Sequence, residues 1–280
     1  MQKIAVTSND KFVYYDTKNN ELIFDDKKNV KLENLESSEL DKIIKISDKK
    51  EKNINRRIYQ LQHDINIKEK MDNFNKKNIK LVDMKEKFMI YPADNERLFV
   101  AGKSGCGKSS IASLYMYEYK NKFPKNDILL YSPHDNDICY HKNKFIKQNL
   151  ENIDEHIDLN DISNSLVIFD DMDNLLDKQQ QKKSNIYLHN LLCNGRKYGI
   201  SCMILAHSLM NYHETRTILN ECQRIVFFTS GSKYHVSRFL KIYGGCDNET
   251  IKYIQNVKSR WVCFSYVPNY IITENELKIL

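Results

Sequence analysis

The sequence predicts an α/β fold: a mostly parallel sheet flanked by helices, closed by a C-terminal β-hairpin and preceded by a small α+β region. Three observations predict it. Short apolar runs without polar alternation recur from residue 96 onward, in ERLFVAG, DILLYSP, SLVIFDD, ISCMILAHS and QRIVFFTS. Runs of that kind are strands buried on both faces, as in a parallel sheet covered by helices. Stretches with helical spacing lie between them, over 109–122, 184–198 and 214–222, and strand–helix alternation is the pattern of doubly wound sheets. The C-terminal stretch SRWVCFSYVPNYIITENELKIL alternates apolar and polar residues around Pro268-Asn269, which predicts an antiparallel hairpin.

Upstream, the texture differs. Apolar clusters at Phe12–Tyr15 and Leu22–Phe24, separated by Asn-rich turns, predict short strands over residues 1 to about 32. Leu35, Leu40, Ile43, Ile44 and Ile46, then Ile54, Ile58, Leu61, Ile65 and Ile67, carry helical spacing up to about residue 87. We therefore divide the chain into an accessory region, 1–86, and a main domain, 87–280.

Composition excludes little but bounds the setting. Of the 280 residues, 41% are hydrophobic and 29% charged, which suits a chain with a sizeable core. The net charge of +6 permits contact with nucleic acid without requiring it. Seven scattered cysteines form no C-x-x-C pair, so a reducing compartment with free thiols is expected. No apolar run reaches the roughly 18 residues a spanning helix needs, and Met1–Phe12 has no signal-peptide core. A protein neither secreted nor integral to a membrane is expected.

The chemistry enters with Gly102-Lys103-Ser104-Gly105-Cys106-Gly107-Lys108-Ser109, which fits G-x-x-x-x-G-K-[ST] at every position. A predicted strand enters it, and a helical pattern beginning near Ser110 and Ile111 leaves it. Glycines let the backbone turn tightly and aim successive N–H groups at phosphate oxygens, and the helix N-terminus adds its positive end. Residues Gly102 to Ser110 are thus the candidate cradle for ATP. Lys108 would reach the β- and γ-phosphates, and the Ser109 hydroxyl would bind Mg²⁺.

A second stretch, Leu166-Val167-Ile168-Phe169, ends in Asp170-Asp171. A carboxylate at the C-terminal end of a neighbouring parallel strand lies in the crevice where such sheets bind ligands. Asp170 would hold Mg²⁺ through its water shell, and Asp171 would orient the attacking water. The bland alternative is that Asp171 and Asp173 cap a following helix. The strand over 202–206 ends in His207-Ser208, a polar pair placed to sense the γ-phosphate. Arg196, Arg216, Arg224 and Arg238 are candidate arginine fingers acting on a neighbouring subunit. For each one alone, a surface salt bridge is the competing role.

Taken in order, GKSGCGKSS, NSLVIFDDMD, LLCNGRKYGISCMILAHS and TRTILNECQRIVFF resemble the virion DNA-packaging ATPases of poxviruses and other large DNA viruses, within the FtsK–HerA superfamily of P-loop NTPases. The resemblance covers about residues 87–280. More specific than the glycine-rich loop are the pairing of Gly195-Arg196 before the fourth strand with the polar pair His207-Ser208 at its end, and the Arg-x-x-x-Asn-x-x-x-Arg pattern at Arg216, Asn220 and Arg224. It implies a homo-oligomeric ring that hydrolyses ATP with Mg²⁺ to drive double-stranded DNA into a capsid. It further implies capsid or membrane-associated virion partners, and a place in the host cytoplasm or the virion. Lys108 and Ser109 then look like the P-loop pair, Asp170 and Asp171 like the metal-binding and catalytic acids, and Arg196 like the finger. Two positions depart from the pattern. His207-Ser208 stands where glutamine is usual, and Asp171 where glutamate is usual. These departures keep open a nucleotide-dependent switch or scaffold that does not move DNA. A small-molecule kinase ranks lower, since no arginine-rich lid follows the loop, and no LSGGQ-like segment precedes Asp170 to suggest an ABC-type ATPase.

Overall fold

The computed structural model describes residues 2–7, 11–16, 21–26, 82–83, 87–133, 138–140, 142–150, 153, 157–172, 177–211 and 215–280. The two helical segments expected between 33 and 81 lie outside them.

The strands are β1 (Gln2–Thr7), β2 (Lys11–Asp16), β3 (Glu21–Asp26), β4 (Val82–Asp83), β5 (Phe88–Ile90), β6 (Arg97–Ala101), β7 (Ile128–Ser132), β8 (Ile146–Asn149), β9 (Leu166–Asp170), β10 (Ser201–Ala206), β11 (Arg224–Phe228), β12 (Trp261–Ser265), β13 (Tyr270–Thr273) and β14 (Glu276–Ile279). The helices are α1 (Lys108–Lys122), α2 (Lys178–Asn194), α3 (Arg216–Glu221), α4 (Lys233–Ile242) and α5 (Asn248–Asn256). Among the described residues the central sheet runs β4-β14-β13-β12-β11-β6-β10-β9-β7-β8. From β11 to β8 every pairing is parallel. From β11 through β12, β13 and β14 to β4 every pairing is antiparallel. The expected α/β class is therefore the observed one. The C-terminal hairpin is β12–β13, and β14 extends it to a three-stranded meander.

The parallel strands are apolar throughout because each feeds two cores. In β6, Phe99 and Ala101 join one cluster while Leu98 and Val100 join the other. In β9 the same period of two sends Val167 and Phe169 one way, Leu166 and Ile168 the other. α2, α3, α4 and α5 cover the first face through residues such as Tyr187, Leu219, Phe239 and Ile254. α1 covers the second with Ile111, Tyr115, Met116 and Tyr119. The same core receives Ile4, Ala5, Val13 and Tyr15 from a smaller antiparallel sheet, β3-β2-β1-β5.

Some boundaries differ from expectation. α2 begins at Lys178, not 184, because Asp177 caps it by accepting from the Gln179 N–H (2.8 Å). It stops at Asn194, and 195–198 form a 3-10 turn. Its last carbonyls are held by a buried arginine: Arg97 Nε donates to the Leu192 carbonyl (3.0 Å) and Nη2 to that of Leu191 (3.2 Å). That cation also suits the negative end of the helix. α4, α5 and the edge strand β8 were not read from the sequence. β8 has no buried apolar run to announce it.

Candidate active site

Parallel pairing brings the C-terminal ends of β6, β10 and β9 to one edge of the sheet. The register sets Val100 beside Leu205, and Leu205 beside Asp170. Asp170 therefore lies two strands, about 10 Å, across from the mouth of the glycine-rich loop. β10 fills the gap between them, so its own end comes to the middle of the site.

The loop is anchored to that middle strand: the Gly102 N–H donates to the Ala206 carbonyl (2.9 Å). At Gly102 a Cβ would stand 2.5 Å from Phe228 Cδ2 and 2.6 Å from Cys106 Sγ, so the loop leaves β6 with no room for a side chain. Gly107 has φ 111° and caps α1, a conformation costly for any residue with a Cβ. Lys103, Ser104 and Gly105 are exposed at the tip, Ser109 is half-buried at the first turn of α1, and Ser110 faces outward.

Lys108 turns inward and is only 7% exposed. Its Nζ donates to the Gly102 carbonyl (2.9 Å) and lies 3.5 Å from His207 Nδ1. The other ring nitrogen, Nε2, stands 3.1 Å from Asp171 Oδ1. The ring stands between the ammonium, which faces Nδ1, and the carboxylate, which faces Nε2 at ion-pair distance. Lys108, His207 and Asp171 thus form one chain of contacts across the strand ends. Asp171 has φ 56°, a left-handed conformation that aspartate tolerates better than most residues. Its carboxylate meets His207; α2 is capped by Asp177, and Asp173 lies outside the described residues. Ser208 follows His207 out of β10, half-buried.

Asp170 is 4% exposed, and the Tyr140 hydroxyl donates to its Oδ2 (2.9 Å). Tyr140 belongs to a short 3-10 turn, and the nearby Asn143 Nδ2 donates to Ser113 Oγ on α1 (2.8 Å). Tyr140 was missed in the sequence because its segment carries no motif. A serine hydroxyl and a carboxylate are hard oxygen donors. Mg²⁺ is commonly held by one or two such groups together with substrate phosphates, so Ser109 and Asp170 fit that ion. Among the described residues no group of three or more His, Cys, Asp or Glu side chains forms a self-sufficient metal cage.

The arginines divide. Arg224 is a correction: it is 3% exposed and ion-paired with Glu96, so it does not reach a neighbouring subunit. Its Nη1 donates to the Ile4 carbonyl (3.0 Å) and its Nη2 to that of Tyr91 (2.7 Å). Arg196, Arg216 and Arg238 are exposed. Arg196 precedes β10 and so lies at the opposite end of that strand, about 20 Å from His207. It donates to the Glu221 carbonyl (3.3 Å). Within one chain it does not meet the loop. Another arginine, absent from the sequence reading, does: Arg260 Nη2 donates to the Cys106 carbonyl (3.2 Å).

No family model matches the chain. It is 33% identical over 214 residues to the protein described as "Uncharacterized protein V3" of Sputnik virophage, covering 71% of this chain and 84% of that protein. The chain belongs to the V3 family. A virophage member accords with the viral resemblance of the motifs. Among solved structures, the genome packaging NTPase B204 of Sulfolobus turreted icosahedral virus 2, in complex with AMPPCP, overlaps with a TM-score of 0.46 at 10% identity, over 64% of this chain and 97% of that one. The pCW3 conjugation coupling protein TcpA overlaps at 0.47 and 14% identity, over 72% of this chain and 66% of that one. Overlaps this loose transfer no role to any residue of the V3-family chain.

Proposed function

We propose that this V3-family protein is an ATP-hydrolysing motor that moves double-stranded DNA, with packaging of a viral genome as its task. The observation that carries the ATPase reading is the convergence of Lys108, His207, Asp171 and Asp170 on the strand ends beside the glycine-rich loop. Backbone N–H groups of Lys103–Ser109 would surround the phosphates, and Lys108 would exchange the Gly102 carbonyl for a phosphate oxygen. Ser109 and Asp170 would hold Mg²⁺, which supplies charge neutralisation on the phosphates when bound. Asp171 would orient the attacking water, with His207 holding its carboxylate in place.

The DNA part of the reading rests on the motif resemblance and on α2. Between residues 178 and 198 stand Lys178, Lys182, Lys183, Arg196 and Lys197, all exposed, and no acidic residue. The three lysines cluster in the first turns of α2, and Arg196 and Lys197 follow its C-terminal end; exposed cations of this kind suit a polyphosphate backbone. The decisive measurement is steady-state ATPase activity with and without duplex DNA. A several-fold stimulation, abolished in Lys108→Ala, is expected. Particle mass with an ATP analogue and DNA tests the ring, in which Arg196 would serve a neighbouring site.

The contact between Asp171 and His207 favours one other reading. A carboxylate already engaged by an imidazole is less available to water, as in a switch that binds ATP and turns over slowly. DNA-independent, near-zero turnover with intact ATP binding would decide for the switch.

A further inference from the structure

A cavity of about 520 Å³ opens beside the glycine-rich loop, and His207 is not among the residues that line it. Gly105 and Cys106 form one wall, Phe228, Thr229 and Ser230 a second, and Lys258, Ser259, Arg260 and Glu274 the rest. The phosphate-cradle reading does not use it. Its walls are braced: Thr229 N–H donates to the Arg260 carbonyl (3.0 Å), Thr229 Oγ1 to that of Ser259 (2.6 Å), and Glu274 N–H to Ser259 Oγ (3.2 Å). Arg260 bridges the cavity to the loop through the Cys106 carbonyl.

We propose that this cavity takes the nucleoside part of the nucleotide, with the base lying on the Arg260 guanidinium and the ribose hydroxyls meeting Glu274. The inference rests on the phosphate-cradle reading and extends it to the rest of the ligand. Size permits it, since small-ligand pockets commonly span about 300–1,000 Å³. Position favours it, because a nucleotide whose phosphates lie under Cys106 and Gly107 must send its sugar and base past the loop's edge. The lining carries two cations, Lys258 and Arg260, and one carboxylate, Glu274; the flat guanidinium, the Phe228 edge and the carboxylate are the groups that suit a nucleoside. Arg260 offers a flat cation suited to an aromatic face, Phe228 an apolar edge, and Glu274 an acceptor for hydroxyl donors that would repel an anion.

The test uses the full chain with Mg²⁺ and two probes, ATP and inorganic tripolyphosphate, titrated calorimetrically. The wild type is expected to bind both, ATP more tightly. Arg260→Ala is expected to weaken ATP by about tenfold and to leave tripolyphosphate within about twofold, a loss in the range of one stacking contact. Ser230→Trp, which fills the cavity from its exposed lip, should do the same and serves if the first variant melts early. Equal loss of both probes would make Arg260 a phosphate or loop-positioning group and overturn the proposal. So would unchanged ATP affinity in both variants, or wild-type tripolyphosphate binding as tight as ATP. If the wild type binds neither probe, the phosphate-cradle reading itself falls, and this one with it.

Discussion

The informative residue is Asp171. Its φ of 56° restricts what can replace it, and its contact with His207 ties it to Lys108. Asparagine tolerates the same backbone and keeps an oxygen for the His207 ring, but it is a far poorer acceptor for a water proton. Asp171→Asn is therefore expected to melt at the wild-type temperature, bind ATP, and lose ATPase turnover by about 10²-fold or more. Turnover within a few-fold of wild type would remove Asp171 from the chemistry. Lys108→Ala differs in kind, since its loss should weaken ATP binding itself. The loop around Lys108 was legible because eight contiguous residues carry the whole pattern. Tyr140 and Arg260 were not, because each reaches the site from a distant, motif-free segment.

Two features act at the level of elements. The first is the join between β6 and β11. Glu96 is buried against Arg224 and also accepts from the Tyr115 hydroxyl (2.6 Å) and the Ala93 N–H (3.1 Å). Burial pushes its carboxyl up, but the Arg224 charge and these hydrogen bonds outweigh burial and hold it below the ordinary range. A depressed carboxyl contributes stability that is fully present above its unfolded value, about 4.3, and lost as pH falls through its folded value. Glu96→Gln leaves the guanidinium buried without its counter-charge, so a loss of about 3–5 kcal/mol at pH 7 is expected in denaturant unfolding. The variant should also lack that part of the wild type's acid destabilisation. A loss under about 1 kcal/mol would mean the pair is solvated. Sequence shows that Arg224 is charged but not that it is enclosed, which is why it was read as a finger. The second feature is α2. Changing Lys178, Lys182 and Lys183 together to Gln should reduce DNA stimulation and flatten its salt dependence, with DNA-free ATPase unchanged. Unaltered stimulation would place the DNA contact elsewhere.

At the scale of the molecule, the N-terminal strands are built into the main core. Ile4, Ala5 and Val13 are fully buried in the cluster that also holds Leu98 and Val100, and the Ile4 carbonyl accepts from Arg224. Deleting residues 1–26 should therefore destabilise the whole protein by about 5 kcal/mol or more, given roughly 1.5–3 kcal/mol for each large apolar side chain withdrawn. An unchanged thermal midpoint would instead make these N-terminal strands an appendage, in keeping with the proposed division at residue 87. The sequence by itself determined the α/β class, the glycine-rich loop and the carboxylates at the end of β9. Those depend on local spacing and on runs of apolar residues that bury both faces of a strand. Only the tertiary structure decided that β10 lies between β6 and β9, that His207 thereby links Lys108 to Asp171, and that Arg224 is enclosed while Arg260 reaches the loop. Strand order and side-chain enclosure arise from contacts between residues far apart in the chain, and no local pattern encodes which distant partner a residue will meet.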